Sequence, residues 1–174
     1  AQEIRDQSVD EWRWTFVLDP TGKVDALARI TRTGDETFVL DTDAGFGAGL
    51  QARLDRFKIR VKAESELTTA TASTASPEHD AARIAAGWPK MGVEIIPGTT
   101  IPGETGVVPV AVNFTKGCYP GQELVERMDS RGATAPRSLR IIDVLEGAEP
   151  GGAIVDGDGA EVGTLTSVSG KIGL

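Results

Sequence analysis

Apolar side chains recur at every second position from Val24 through Ala26 and Ala28 to Ile30, the period of a strand with one face buried. The surrounding stretch, WRWTFVLDPTGKVDALARITRTGDETFVLDTD (12–43), breaks into three such runs. "DPTGK" (19–23) and "RTGDE" (32–36) punctuate it as turns, with proline fixing one backbone dihedral and glycine supplying the unusual one. An antiparallel meander is expected, its third strand "TFVLDT" at 37–42. The period then lengthens. Leu50, Leu54 and Phe57 stand four and three residues apart, one face of a helix over 44–56 that Asp43 is placed to cap. "KIRVKAE" (58–64) alternates again, with Ile59, Val61 and Ala63 on one side, which predicts a further strand. Strands, helix and strand together imply an α+β layer.

The pattern fails in "SELTTATASTASP" (65–77), a Ser/Thr/Ala stretch without aromatic residues that has the composition of a connection. "PEHDAARIAAGWP" (77–89) follows as a short helix stopped by Gly87 and Pro89. "KMGVEIIPGTTIPGETGVVP" (90–109), dense in Gly and Pro, predicts ordered loop, and "VAVNF" (110–114) a short strand. Strands are expected at 137–147, 153–155 and 161–168, linked by Gly-rich turns as in a small barrel or sandwich. Three strands are too few to close one, so a partial C-terminal β-barrel is expected over 134–174, after an α+β domain over 1–133.

With 174 residues such a chain buries a sizeable core without disulfides. No apolar run approaches the ~18 residues that cross a bilayer. The opening AQEIRDQSVDEW lacks the basic and apolar regions of a signal peptide and has no starting methionine, which suggests a fragment or processed product. The net charge of −8 argues against direct nucleic-acid binding. Residues 116–140 depart from it, with Lys116, Arg127, Arg131, Arg137 and Arg140 set against Glu123, Glu126 and Asp129. A mildly basic patch on an acidic body suits a small anionic ligand or a solvated helix face. One cysteine precludes an internal disulfide and fits a reducing, cytoplasmic setting. One histidine, His79, cannot build a His-rich metal site.

That cysteine lies in "KGCYPGQELVER" (116–127). Gly117 and Gly121 free the backbone for close approach or positive φ. Pro120 fixes φ and can open a helix. Leu124, Val125 and Met128 then share one face, and Glu123 to Arg127 is a favourable i,i+4 pair. Cys118 therefore precedes a helix N-terminus and stands near Lys116, two influences that favour a thiolate. A thiolate attacks electrophiles, accepts sulfur or ligates iron in a cluster, although one thiolate needs a partner protein or an exogenous thiol for the remaining ligands. The alternative is a cysteine that merely packs.

The string Lys116-Gly117-Cys118-Tyr119, then Gly121-Gln122-Glu123, followed by Arg127 and by Arg131-Gly132, resembles the signature of the YgfZ family. "LDPTGKVDALARITRTGDETFVLDTD" and "RIAAGWPKMGVEI…IPGETG" resemble its other segments. The resemblance implies a fold like that of the glycine cleavage T-protein and a folate-binding factor that assists maturation or repair of iron–sulfur proteins. Cys118 would be its functional thiol, and an iron–sulfur cluster its transient cargo. It further implies tetrahydrofolate or a derivative as cofactor, iron–sulfur assembly proteins or client enzymes as partners, and no membrane; a monomer is expected. Against the family pattern, the first strands would precede Ala1, the region near 65–77 is shortened, and the barrel breaks off.

Two other functions follow from the same residues. A folate-dependent one-carbon transferase of the T-protein kind would need an acidic residue where Arg83-Ile84-Ala85-Ala86-Gly87 carries Ala85, and an alanine cannot accept the pterin ring's N–H donors. A plain folate-binding module would leave Cys118 structural. In either, Glu104 of "PGETG" would line a ligand cleft, Tyr119 would stack on a flat ring, and Arg127 or Arg131 would take a folate carboxylate tail or an acidic partner.

Overall fold

The computed structural model describes residues 1–68, 76–130 and 135–174. Strands β1 (Trp12–Leu18), β2 (Val24–Arg32) and β3 (Phe38–Asp41) form an antiparallel sheet in that order. The register sets Phe16 opposite Leu27 and Ile30 opposite Leu40. The first turn is built as its residues require. The Asp19 carboxylate accepts the Thr21 and Lys23 N–H groups at 2.8 and 2.9 Å, and Gly22 takes φ +89°.

β2 is buried along one face and at one position of the other. Ala26 and Ala28 are sealed on one side, as the alternation predicts, but Leu27 is buried on the other, against Phe16. Helix α1 (Gly47–Arg56) lies against β2. Its Leu50 is buried, while Phe57 stays exposed beneath the Arg53 guanidinium, 4.5 Å from the ring centre. Asp43 does not cap α1; its carboxylate accepts the Met91 N–H at 2.8 Å, pinning a distant loop instead. Burial of such aliphatic side chains, at about 1.5–3 kcal/mol each, makes this sheet the core of the structure.

Two expected strands are absent. Residues 58–64 pair with nothing: Arg60 has φ +62°, and Ile59 and Val61 are exposed. An alternating pattern makes a strand only where a neighbour completes its ladder. Residues 108–111 form a helical turn, α3 (Val108–Ala111), rather than the start of a strand at 110. Pro109 in its first turn has the φ a helix start wants, and α3 packs on β1.

Helix α2 (Pro77–Ala85) starts on a Ser76 cap and ends at Gly87, φ +65°. Loop 90–107 follows, ordered as expected and containing one 3-10 turn, Pro102–Glu104. Helix α4 (Gln122–Ser130) comes next. In the C-terminal part, β4 (Ile142–Asp143), β8 (Ile172–Gly173) and β7 (Val168–Ser169) form one small sheet, and β5 (Ala153–Val155) with β6 (Glu161–Thr164) a separate hairpin. The strand expected over 137–147 shrinks to its centre, and the one expected over 161–168 divides. Leu165 still bonds the hairpin at Gly151 and Gly152, whereas Thr166 and Ser167 bond Leu174. The chain thus changes sheets, and among the described residues the strands do not close into a barrel.

Candidate functional site

The cysteine loop is fastened from three directions. On its N-terminal side, the Asn113 side-chain oxygen accepts the Thr115 and Lys116 N–H groups at 2.8 and 2.9 Å, a turn that needs no neighbour. On its C-terminal side, Gln122 opens α4 by accepting the Tyr119 N–H at 3.2 Å. Between them Gly121, φ +79°, lies on the β1–β2 turn so closely that an added Cβ would sit 2.6 Å from the Asp19 carbonyl and 2.8 Å from the Gly22 Cα. Gly22 answers in kind, with Leu124 Cβ at 2.6 Å from its own hypothetical Cβ. Close approach is thus the use of Gly121. Gly117 has no such role: open space surrounds it and its φ is not positive.

Cys118 stands out from this anchored loop as an exposed free thiol. It lies four residues ahead of α4 rather than at its first turn. The Lys116 ammonium is directed to the Gln2 carbonyl at 3.1 Å and to the face of Tyr119, 5.4 Å from the ring centre, a contact worth about 0.5–1 kcal/mol. Tyr119 is half-buried. Its hydroxyl is enclosed without a hydrogen-bond partner among the described residues, and burial, with Glu126 nearby, holds its pKa above the usual phenol value.

A groove of about 460 Å³ starts at Tyr119 and runs along the glycine contact, between Pro20 and Thr21 on the turn and Gln122, Glu123, Leu124 and Arg127 on α4. Arg127 is ion-paired with Glu123, as the spacing predicts. Of the other expected site residues, Arg131 and Gly132 lie outside the described residues, as do 69–75 of the predicted connection. Glu104 is not in the groove. One of its carboxylate oxygens takes the Arg137 Nε–H at 3.0 Å, the other the Ile101 N–H at 3.1 Å, and its carbonyl takes the Leu139 N–H. It clamps the entry to the C-terminal part. Ala85 is exposed on α2.

These positions decide how well a folate fits. Tyr119 offers a flat apolar face and Arg127 a cation, but among the described residues no unpaired carboxylate borders the groove to take the pterin N–H donors. No three His, Cys, Asp or Glu side chains among the described residues group into a metal site.

Two features leave no trace in the linear pattern. One is the partnership of the 19–23 turn with the cysteine loop, since each glycine is intelligible alone as a turn residue. The other is a polar junction beneath the C-terminal sheet. There Arg83 reaches Asp80 at 2.9 Å, the Trp88 carbonyl at 2.9 Å, Glu94 at 3.1 Å and Ser167 Oγ at 2.8 Å. Ser167 in turn donates to Glu94 at 2.5 Å. An arginine and a glutamate on separate segments are the only linear signal of it.

Comparison with known proteins bears on the same segment. Residues 106–174 match the family model described as the CAF17 C-terminal beta-barrel domain. The chain is 34% identical over 93 residues to the human iron-sulfur cluster assembly factor IBA57, mitochondrial, covering 51% of this chain and 26% of the relative. It is 44% identical over 69 residues to the Neurospora crassa homolog of that factor, 39% of this chain and 16% of the relative. The chain thus spans about a quarter or less of the length of these relatives.

Proposed function

Because residues 106–174 match the CAF17 C-terminal beta-barrel family model, and the cysteine motif resembles that of the YgfZ proteins, we propose that the chain serves in iron–sulfur cluster assembly or repair. Cys118 is the working thiol. The relatives are named as assembly factors, and the observation that carries the reading here is the exposure of Cys118 on a loop fixed by Gly121 against Gly22. A thiol held outward on a rigid support is available to a partner's cluster, whereas a cysteine that only packs belongs in a core. The cluster is cargo. Cys118 supplies one sulfur ligand, and an assembly protein or client enzyme supplies the others.

Folate is a second, weaker element of this reading, held by the Tyr119 face and the Arg127 cation. The one-carbon transferase reading is disfavoured by the exposed Ala85 and by the engagement of both Glu104 oxygens within the fold. The setting is a compartment that keeps Cys118 reduced. The cytoplasm expected from the sequence meets that need, and so does the mitochondrion in the relatives' names.

The test is complementation. In a strain lacking its own factor of this family, the chain should restore the activity of an iron–sulfur enzyme, and Cys118→Ser should remove that rescue without altering the circular dichroism or the unfolding midpoint. Full rescue by the serine variant would overturn the role of the thiol; failure of the unsubstituted chain would overturn the function.

A further inference from the structure

The segment 58–64 and the β5–β6 hairpin are complementary surfaces that do not meet within the chain. In the first, Ile59, Val61 and Ala63 alternate with Lys58, Arg60 and Lys62, and all but Lys58 are exposed. Lys58 pairs with Asp55 at 2.8 Å, while Arg60 and Lys62 have no ion pair among the described residues. No backbone hydrogen bond within the described structure uses residues 60–64. Arg60 is held at φ +62°, a left-handed value that is unfavourable for a residue with a side chain and that extension into a strand would relieve. The second surface is a ribbon of only two strands, open on both edges among the described residues. It exposes Val155 and Val162 and carries Asp158 and Glu161 unpaired at its tip.

We propose that a second copy of this chain adds its 58–64 segment to an edge of this hairpin. The contact is reciprocal, so that two strips and two hairpins form a two-fold dimer. Isolated two-stranded ribbons are marginal, and a third strand with apolar contacts completes them. Lysine and arginine on an exposed strand ordinarily discourage pairing. Here the facing edge is acidic, so the same charges select it and repel another 58–64 strip. In a chain of net charge −8, a strip of three cations is the natural target of the acidic tip. The two-fold arrangement uses each contact twice.

Light scattering on the purified full chain, at rising concentration and low salt, should show the mass moving from 18.3 kDa toward twice that value, and back at high salt. Arg60→Glu with Lys62→Glu should leave monomer. Asp158→Lys with Glu161→Lys should do the same, since neither side chain makes a hydrogen bond or ion pair among the described residues. An equimolar mixture of the two double variants should restore a dimer, because each strip then meets a hairpin of opposite charge, and all four changes in one chain should do so too; a mixture that stays monomeric would rule out the reciprocal contact. Circular dichroism identical to that of the unsubstituted chain confirms that each variant is folded. A monomer at every concentration, a dimer insensitive to either reversal, or no recovery in the fourfold variant overturns the proposal.

Discussion

Gly121 and Gly22, 99 positions apart in the sequence, touch backbone to backbone, and that contact holds the loop of Cys118 on the β1–β2 turn. Gly121→Ala would drive a methyl group against the Asp19 carbonyl, which cannot move without opening the turn, and would strain a residue at φ +79°. We expect a loss of about 1–3 kcal/mol in urea unfolding. Gly117→Ala, in open space with ordinary φ, should change the unfolding midpoint little. Equal effects at the two glycines would show that the contact does not position the loop.

This contact marks the limit of what the sequence discloses. The meander, α1, α2, α4 and the Glu123–Arg127 pair follow from local periodicity and spacing, and the structure contains them. Residues 58–64 and 110–114 look alike locally, yet the first lacks a neighbouring strand and the second turns helical at Pro109 on the surface of β1. Cys118 was legible as a candidate working thiol because Lys116, Gly117 and Gly121 surround it, while its exposure is a finding of the structure. The groove wall was not, because Pro20 and Thr21 reach it only through the fold. Glu104 misled for the same reason: a turn sequence does not reveal that Arg137 will occupy its carboxylate.

An exposed sulfur should be chemically accessible without unfolding. Iodoacetamide should modify Cys118 in the native protein at a rate near that of a small free thiol, and urea should accelerate labelling only slightly, since no core has to open. Protection by a hundredfold or more that urea abolishes would place the thiol inside. Prior alkylation should leave the unfolding midpoint unchanged.

The Arg83 junction makes a different demand. The side chains of Arg83 and Glu94 are 9% and 2% exposed, so removing one partner leaves the other charged and dry. Glu94→Leu or Arg83→Leu should cost about 3–5 kcal/mol, whereas replacing both by apolar residues should cost much less. Because Ser167 joins the network beside β7, the single variants should also hasten amide exchange in β7 and β8 before β1 and β2. A double variant as unstable as the sum of the singles would mean that the pair is not coupled.

The same junction gives stability a dependence on acid. The Arg83 guanidinium, foremost by its hydrogen bond, holds the Asp80 pKa below its usual 3.8. A carboxyl lowered on folding contributes stability that is present above its unfolded value and is lost as pH falls through the folded one. Asp80 is 42% exposed, so solvent screens the effect and it is small. Asp25 works oppositely: burial raises its pKa against the pull of Arg53, so its ionisation detracts from stability as pH rises past that value. The urea midpoint of the unsubstituted chain should decline below about pH 4. Asp80→Asn should be less stable at neutral pH and lose less on acidification. An unchanged acid slope in that variant would assign the decline to other carboxylates.

The enclosed hydroxyl of Tyr119 allows a prediction of opposite sign. A buried hydroxyl without a partner has given up its bonds to water and regained none, a penalty of about 1–3 kcal/mol. Tyr119→Phe keeps the ring, its contact with the Lys116 ammonium and its place on the groove wall, and removes only the unpaired oxygen. The variant should therefore be as stable as the unsubstituted chain or more so, whereas Tyr119→Leu, which loses the aromatic face, should be less stable. Rescue of iron–sulfur enzyme activity should survive the phenylalanine, because Cys118 and its glycine support are untouched. If Tyr119→Phe instead lowers the unfolding midpoint, the hydroxyl has a bonding partner in solution, with Glu126 the nearby charge best placed to be tested by a second substitution.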